Sequence, residues 1–357
     1  MKVGGGPSIN LFVLSILGCT KLVPALALLA GRQRICFPRY QCPPTLSPSK
    51  KTVVTKSFVE ESAEGSPSPK NSKAETLLDL IRPSTLFQAV GALTVGRLVV
   101  AGGDVFMKNP IREIVAMVSV YLSYGAGMVS NDCVDKGIDA LDPRKKLRPI
   151  ASGIVSVREG WILVAALSLT SLLLAFFGVT SDYALWTFSN IFLTTAYALF
   201  LQRLFLLKNL IVGWLCVSPL VGATLIGGTM LKANIVPKLW RMAGVGMAIG
   251  VSREILKDAE DIEIDRDEKS TIPLVLGVQA ARWIAMVLVL GTSATLMTPS
   301  YRLMFASSPP WFLFGWAVAT SYSVRACTQP LKEQQSMVKK SIYVMLLGLI
   351  MGLACQP

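Results

Sequence analysis

Histidine is absent from the 357 residues, and the seven cysteines are scattered without a CxxC pair. Zinc sites built from His and Cys, haem ligation by His, and Ser-His or Cys-His nucleophile pairs are therefore excluded or unsupported. The spacing of the cysteines does not support a disulfide scaffold either. These absences remove several common routes to metal and nucleophilic chemistry.

Charge is also scarce, since charged residues make up 16% of the chain and hydrophobic residues 52%. Soluble domains usually carry about a quarter charged residues, and the mean hydropathy here is +0.53. Lipid offers no water to unpaired backbone groups, so we predict an all-α, polytopic membrane bundle. The net charge of +13 is typical of cationic loops on one membrane side and does not indicate nucleic-acid binding. The partner expected from composition is therefore the lipid bilayer, and no obligate protein partner is evident.

Acidic residues are missing from residues 1–59, and the first acid is Glu60. This bias, with an apolar stretch followed by a basic, hydroxyl-rich one, is typical of a signal or transit peptide. We predict a plastid membrane as the location, with the mitochondrial inner membrane as the alternative. An extra anchoring helix is the alternative interpretation of the N-terminal segment itself. Residues 60–76 resemble a flexible polar linker. Residues 77–357 are then the transmembrane domain.

Apolar segments separated by short polar breaks follow, each close to the length that crosses about 30 Å of hydrocarbon. About nine spans are predicted, at 86–104, 112–130, 161–179, 183–201, 210–231, 239–256, 281–299, 308–325 and 340–355. The loops after the even-numbered spans hold most of the loop cations, although Lys232 and Lys238 after span five are exceptions. These even loops are therefore expected on one face, the matrix-like or stromal side.

The second span ends in the first of two acid-rich segments, "NDCVDKGIDALDPRKKLRP" at 131–149. If the helix continues, Asn131, Asp132, Asp135 and Asp139 share an arc of about 100°. Like charges four residues apart repel each other, so the arrangement predicts a positive partner. Taken alone, the segment is equally well explained as a solvated helix end.

The sixth span ends in the second acid-rich segment, "REILKDAEDIEIDRDEKSTIPLVLG" at 253–277. Glu254, Asp258, Asp261 and Asp265 share an arc of about 60°. Four spans separate the two segments, so both emerge on the same face. Two clusters of oxygen ligands on one face indicate a shared site for a hard cation, and Mg²⁺ bridging to a phosphate is the usual case. An ion-coupled transporter is the alternative, although its acids would more often lie at mid-span.

Cations accompany both segments, and Arg and Lys beside a metal neutralise a leaving phosphate. The strongest candidates are Arg148, beside Pro149, and Lys208, beside Asn209. The other candidates are Lys145, Lys146, Arg203, Arg253 and Lys257. Membrane topology alone could explain any single one of them.

These segments resemble the signatures of the UbiA superfamily of intramembrane prenyltransferases. "NDCVDKGIDALDPRKKLRPIASG" is similar to its first motif and "KDAEDIEIDRDEKSTIP" to its second, and Arg82-Pro83 is similar to its "RP" before the first span. The resemblance covers about residues 77–355. Gln202 stands where many relatives have Lys, which places one phosphate contact in question.

The resemblance implies nine helices and a reaction in which an isoprenyl diphosphate loses diphosphate and a second substrate captures the carbocation. Asp132 is either a metal ligand or a group that orients Arg148. The roles implied are metal binding by Asn131, Asp135, Asp139, Asp258, Asp261 and Asp265; diphosphate binding by Arg148, Arg203 and Lys208; and catalysis by Asp132, Arg148, Lys208, Arg253 and Lys257.

The acceptor is the part that the resemblance leaves open. An aromatic precursor of prenylquinones or tocochromanols is expected, because plastids need such compounds. A geranylgeranylglyceryl phosphate or a chlorophyllide is the alternative within the superfamily, since "SREILKDAEDIEID" is most similar to the branch that uses the glyceryl phosphate. A terpene cyclase, a non-catalytic relative and a transporter are the competing classes.

Overall fold

The computed structural model describes residues 73–227, 235–262, 270–299 and 309–354. Within those ranges every regular element is a helix. The predicted targeting region 1–59 and the predicted ligand Asp265 lie outside the described residues. The first described helix begins at Lys73, inside the segment predicted to be a linker.

Thirteen α-helices are described, in the order α1 Lys73–Ile81, α2 Pro83–Ala101, α3 Val105–Lys108, α4 Pro110–Val134, α5 Lys136–Leu141, α6 Val157–Gly178, α7 Ser181–Leu199, α8 Leu207–Gly222, α9 Ile235–Glu260, α10 Ile272–Leu276, α11 Val278–Leu296, α12 Pro309–Ala326 and α13 Leu331–Ala354. Short 3₁₀ turns at Leu201–Arg203 and Ala223–Leu225 flank α8. The prediction of an all-α membrane bundle is confirmed.

Local sequence signals place the helix ends. Ser156 and Glu159 form a capping box at the start of α6, which satisfies two backbone N–H groups that would otherwise lack partners. Thr180 caps α7 by accepting a hydrogen bond from the Tyr183 backbone N–H. Proline, whose ring fixes φ and whose missing N–H costs nothing there, stands at the starts of α2, α4 and α10.

Close helix packing depends on glycine at two contacts. A Cβ atom on Gly315 of α12 would lie 2.8 Å from the Gly348 Cα of α13. A Cβ atom on Gly213 of α8 would lie 3.0 Å from the Met247 backbone oxygen of α9. Small residues let the backbones of membrane helices approach closely, so both helix pairs pack backbone to backbone.

Five described helices are long and apolar enough to cross a membrane, namely Pro110–Val134, Val157–Gly178, Leu207–Leu225, Val278–Leu296 and Leu331–Ala354. A bent pair, Glu75–Ile81 with Leu86–Ala101, raises the number to six. The predicted count of nine is not confirmed. Helix α9 is not one of these five helices, and its last turns carry Arg253, Glu254, Lys257 and Asp258. Large apolar side chains such as Phe177 and Phe188 are exposed, as expected for a surface that faces lipid.

A buried ion pair joins α2 and α4 at the end of the bundle away from the two acid-rich segments. Arg97 donates from Nε and Nη2 to Glu113 at 2.8 and 2.6 Å. Its Nη1 donates to the Ala223 carbonyl at 3.1 Å, where α8 gives way to a 3₁₀ turn. Both side chains are almost wholly buried. The pair therefore connects three parts of the bundle through one guanidinium.

Candidate active site

A cavity of about 480 Å³ opens between α2, α4, α8, α9 and α13, within the size range of small-molecule sites. One end is lined by acids, amides and cations, which are Arg82, Gln88, Asn131, Asp135, Asp139, Lys145, Arg148, Gln202, Lys208, Arg253, Glu254, Lys257, Asp261 and Lys339. The other end is apolar and reaches Val95, Leu220 and Leu349. At about 1.5 Å per helical residue, Val95 is about 20 Å along α2 from Arg82.

The first acid-rich segment contributes the end of α4 and the start of α5. Asn131 Nδ2 donates to Asp135 Oδ2 at 2.9 Å. Gln202 Nε2 donates to Asp135 Oδ1 at 2.9 Å and to the Ala198 carbonyl at 2.8 Å. Neutral amides thus orient the Asp135 carboxylate without neutralising its charge, so a cation can still do so.

Asp132 does not line the cavity. It is buried and accepts hydrogen bonds from Arg82 and, at 3.2 Å, from Arg148 Nη1. The same Arg148 nitrogen donates to Asp139 Oδ2 at 2.7 Å. Asp132 therefore orients Arg148 at the cavity wall, which favours the second of its two predicted roles.

Asp139 lies beyond the end of α4, outside the long apolar helix. Burial raises the pKa of Asp139 above its ordinary value, although the Arg148 guanidinium beside it acts in the opposite direction. A further positive charge would favour the ionised carboxylate. The position is thus suited to a ligand that is positively charged.

The second acid-rich segment brings two carboxylates to the end of α9. Lys208 Nζ donates to Asp258 Oδ1 at 2.5 Å, and Asn209 Nδ2 donates to Asp258 Oδ2 at 3.1 Å. Asp258 is buried behind the cavity wall, whereas Lys208 lines it. In this structure Asp258, a predicted metal ligand, pairs with Lys208.

The loop after α5 joins the two segments directly. Arg144 donates to Glu260 and to Asp261 Oδ1, each at 2.5 Å. Lys145 Nζ donates to Asp261 Oδ2 at 3.0 Å. Burial tends to raise the pKa of Asp261, but Lys145 and its neighbours hold it below the ordinary value. Similarly, hydrogen bonds from Arg144 outweigh desolvation and keep the pKa of Asp142 at about 2.

Most of the predicted site residues meet in this cavity. Those that line it are Asn131, Asp135, Asp139, Arg148, Lys208, Arg253, Lys257 and Asp261. Lys257 Nζ donates to Glu254 Oε1 at 3.0 Å. Arg203 was expected to bind diphosphate, but it is exposed and does not line the cavity, because the 3₁₀ turn Leu201–Arg203 buries Gln202 instead.

Two polar residues of the cavity were missed from the sequence. Gln88 of α2 lines it, and its Nε2 is buried without a hydrogen-bond partner. Lys339 of α13 also lines it, together with Ile342, Leu346 and Leu349. Their spacing of three or four residues is the stripe of one helix face, and that periodicity could have assigned Lys339 to the interior.

The ligands available for a metal are oxygens only. Among the described residues, no three acidic or cysteine side chains converge closely enough to hold an ion by themselves. Asp135, Asp139, Asp261 and the Asn131 amide nevertheless line the same cavity. Such a set fits a hard divalent cation that keeps waters and takes further oxygens from a phosphate.

Fold and site together define a polytopic membrane protein whose cavity joins an acid-and-cation end to an apolar end. The UbiA prenyltransferase family has a sequence pattern that matches residues 89–349. The chain belongs to this family and is a transferase of prenyl groups.

Sequence relatives include archaeal enzymes. The chain is 31% identical over 242 residues to the digeranylgeranylglyceryl phosphate synthase of Natronomonas pharaonis, covering 67% of this chain and 79% of that protein. It is 28% identical over 292 residues to the enzyme of the same name from Korarchaeum cryptofilum, covering 78% of this chain and 97% of that protein.

Solved structures share the fold. A UbiA homolog from Aeropyrum pernix K1 matches with a TM-score of 0.60 and 22% identity, over 76% of this chain and 97% of that one. A UbiA homolog from Archaeoglobus fulgidus, bound to DMAPP and Mg²⁺, matches with a TM-score of 0.51 and 14% identity, over 76% of this chain and 99% of that one.

Proposed function

We propose that this protein transfers a prenyl group, of geranylgeranyl type, from its diphosphate to a hydroxyl of a geranylgeranylglyceryl phosphate acceptor. The observation that carries the proposal is the cavity, whose apolar end suits a prenyl chain and whose polar end suits phosphates. The name of the archaeal relatives supports this acceptor over the aromatic one expected from the sequence.

The polar end has more cations than acids. Seven Lys or Arg side chains and four Asp or Glu side chains line it. An aromatic acceptor without a phosphate would need less positive charge than this, whereas two phosphate-bearing substrates would use the excess. Charge-assisted hydrogen bonds from Arg and Lys are the strong ones for phosphate oxygens.

We assign the metal, Mg²⁺, to Asn131, Asp135 and Asp139 on one side and to Asp261 on the other, with Asp258 acting through Lys208. The Archaeoglobus fulgidus homolog bound to Mg²⁺ supports this choice of ion. When bound, the ion neutralises the charge that develops on the departing diphosphate. Asp265 stays a proposed ligand, since it lies outside the described residues.

Side chains of the protein bind the diphosphate during prenyl transfer. Arg148, oriented by Asp132, and Lys208, held by Asp258, bind diphosphate oxygens as the allylic C–O bond breaks. The bonding electrons leave with diphosphate. The acceptor oxygen then forms a bond to C1 of the prenyl group, and its proton passes to the departing diphosphate. Lys257, beside Glu254, adds positive charge at the same end.

The apolar end protects the carbocation from water. Tyr124 and Tyr197 line the cavity next to the polar end, and aromatic faces attract cations. The Tyr124 hydroxyl donates to the Leu215 carbonyl at 2.5 Å, which anchors the ring between α4 and α8. Excluding water matters here because water would quench the cation.

The proposed function is tested by giving membranes that contain the wild-type protein labelled geranylgeranyl diphosphate and a panel of acceptors. Mass spectrometry is expected to find the diether phosphate from geranylgeranylglyceryl phosphate and little product from hydroxybenzoate or homogentisate. Product from an aromatic acceptor alone would contradict the proposal. Acceptor-free terpene would indicate a cyclase, and intact diphosphate would indicate a transporter.

The length of the prenyl chain is expected to depend on Ala92, a small residue that lines the cavity on α2. The Ala92→Phe variant should fill part of the apolar end. We expect the ratio of kcat/KM for geranylgeranyl over geranyl diphosphate to fall about 10-fold. Ala101→Phe, on the same helix but exposed, is the matched control and should leave the ratio unchanged. Equal ratios in both variants would contradict this assignment of the apolar end.

The chain is an integral, multi-pass membrane protein, and its organelle stays a proposal. The acid-free composition of residues 1–59 supports a plastid membrane. Imaging of the full chain fused at its C-terminus to a fluorescent protein, beside plastid and mitochondrial markers, tests that location.

A further inference from the structure

Five of the seven cations of the cavity are paired with carboxylates. Their partners are Asp132 for Arg82, Asp261 for Lys145, Asp132 and Asp139 for Arg148, Asp258 for Lys208, and Glu254 for Lys257. Arg253 and Lys339 differ, since no carboxylate of the described residues forms an ion pair with either. Arg253 Nη1 donates to Gln88 Oε1 at 3.3 Å, and Lys339 Nζ lies 5.9 Å from the centre of the Tyr343 ring.

These two cations face the same space from different helices. Arg253 of α9 and Lys339 of α13 both line the cavity, and the positive charge of Arg253 acts on Lys339. Two like charges in a half-buried setting repel each other and gain little from solvent. Charged residues within membrane-spanning helices usually have a functional partner. The pair therefore predicts an anion between them.

Gln88 supplies independent evidence for an anion-binding position. Its Oε1 accepts from Arg253, and its Nε2 is buried without a partner although Gln88 lines the cavity. A buried amide N–H without an acceptor costs free energy. An oxygen-rich ligand beside Arg253 would supply that acceptor. Donors from three helices, α2, α9 and α13, thus line the same end of the cavity.

This position is separate from the proposed metal ligands. Arg253 precedes Asp261 by eight residues, which is about 12 Å along the axis of α9. The cations nearest Asp261, which are Arg144 and Lys145, are already bound to it. A diphosphate held at Asp261 would leave Arg253 and Lys339 for a second anion, with the reacting carbon between them.

We propose that Arg253, Lys339 and Gln88 form a second anion site that holds the phosphate monoester of the acceptor. The inference rests on the proposed function and assigns Arg253 to the acceptor, not to the departing diphosphate. A phosphate monoester carries between one and two negative charges and three acceptor oxygens. The Arg fork, the Lys ammonium and the amide N–H match those oxygens in number and charge.

The test compares Lys339→Gln with Lys340→Gln, its exposed neighbour on α13, which does not line the cavity. Lys339→Gln is expected to raise the KM for geranylgeranylglyceryl phosphate about 10- to 100-fold. The KM for geranylgeranyl diphosphate and the thermal stability in detergent should match wild type. Lys340→Gln should match wild type in all three. Arg253→Gln should also raise the acceptor KM.

A phosphate-free acceptor, geranylgeranylglycerol, gives a second readout. Wild type should prefer the phosphorylated acceptor, and Lys339→Gln should lose that preference while using the alcohol as well as wild type does. A raised KM for the prenyl diphosphate in Lys339→Gln would overturn the proposal by assigning the pair to the donor. An unchanged acceptor KM, with wild type active on the phosphorylated acceptor, would overturn the site alone. If wild type used only an aromatic acceptor, the proposed function would be overturned, and the assignment of the acceptor phosphate to this site would be overturned with it.

Discussion

The Asp135→Asn variant is expected to lower kcat for prenyl transfer about 1,000-fold. Asparagine keeps the shape of the side chain and a carbonyl oxygen, so the contact from Gln202 can persist. The negative charge is lost, and with it the attraction for a divalent cation at the cavity wall. The measurement is the formation of labelled product in membranes under single-turnover conditions, with the amount of inserted protein determined in parallel.

The matched control is Asp104→Asn, an exposed aspartate next to α3 whose carboxylate pairs with Lys108. It should retain wild-type activity, because it lies at the end of the bundle away from the site. Binding of Mn²⁺, followed by electron paramagnetic resonance, should weaken in Asp135→Asn and not in the control. EDTA should abolish wild-type activity, and added Mg²⁺ should restore it. Full activity of Asp135→Asn, or of wild type in EDTA, would exclude the metal mechanism.

The Arg97→Met variant is expected to lose about 3–5 kcal/mol of unfolding free energy. The Glu113 carboxylate would then remain buried without its two hydrogen bonds from the guanidinium. The Ala223 carbonyl would lose its donor as well. Because the pair lies far from the carboxylates of the cavity, the KM values of the surviving folded protein should stay at their wild-type level. Equilibrium unfolding in mixed micelles measures the loss.

The double variant Arg97→Met/Glu113→Leu separates the cost of an unpaired charge from the value of the pair. It should recover most of the lost stability, since an apolar pair of similar volume often replaces a buried ion pair at little cost. Only the loss at the Ala223 carbonyl should persist. A double variant as unstable as Arg97→Met would show that the guanidinium stabilises the bundle through Ala223 and not through Glu113.

The helical class and the two halves of the site were predictable because each depends on short-range patterns. Apolar runs indicated the spans, and helical spacing predicted that Asn131, Asp135 and Asp139 lie close together; all three line the cavity. Because an even number of predicted spans separates the two acid-rich segments, Asp261 was expected at the same end. The number of spans was less predictable, since α9 carries Lys238 and Arg241 near its start as well as charged residues in its last turns.

The sequence did not predict which acids line the cavity and which hold the cations behind its wall. Asp132 and Asp258 fall in the same helical arcs as the other acids of their segments. Both nevertheless lie behind the cavity wall, where they hold Arg148 and Lys208. Arg203 and Gln202 are adjacent, and the 3₁₀ turn exposes the first and buries the second. Spacing reports which side chains share a helix face, whereas the depth of each one depends on the neighbouring helices.

Hydropathy and residue spacing were sufficient to predict a membrane helical bundle with acids and cations at two helix ends on one face. That information is local, because hydropathy and periodicity act within a single helix. The packing of the helices, in contrast, shows which cations of the cavity have carboxylate partners and brings Arg253, Lys339 and Gln88 into the lining of one cavity. Those residues are separated by up to 251 positions in the chain, 339 minus 88, and only the packing of α2, α9 and α13 brings their charges and hydrogen-bond donors together.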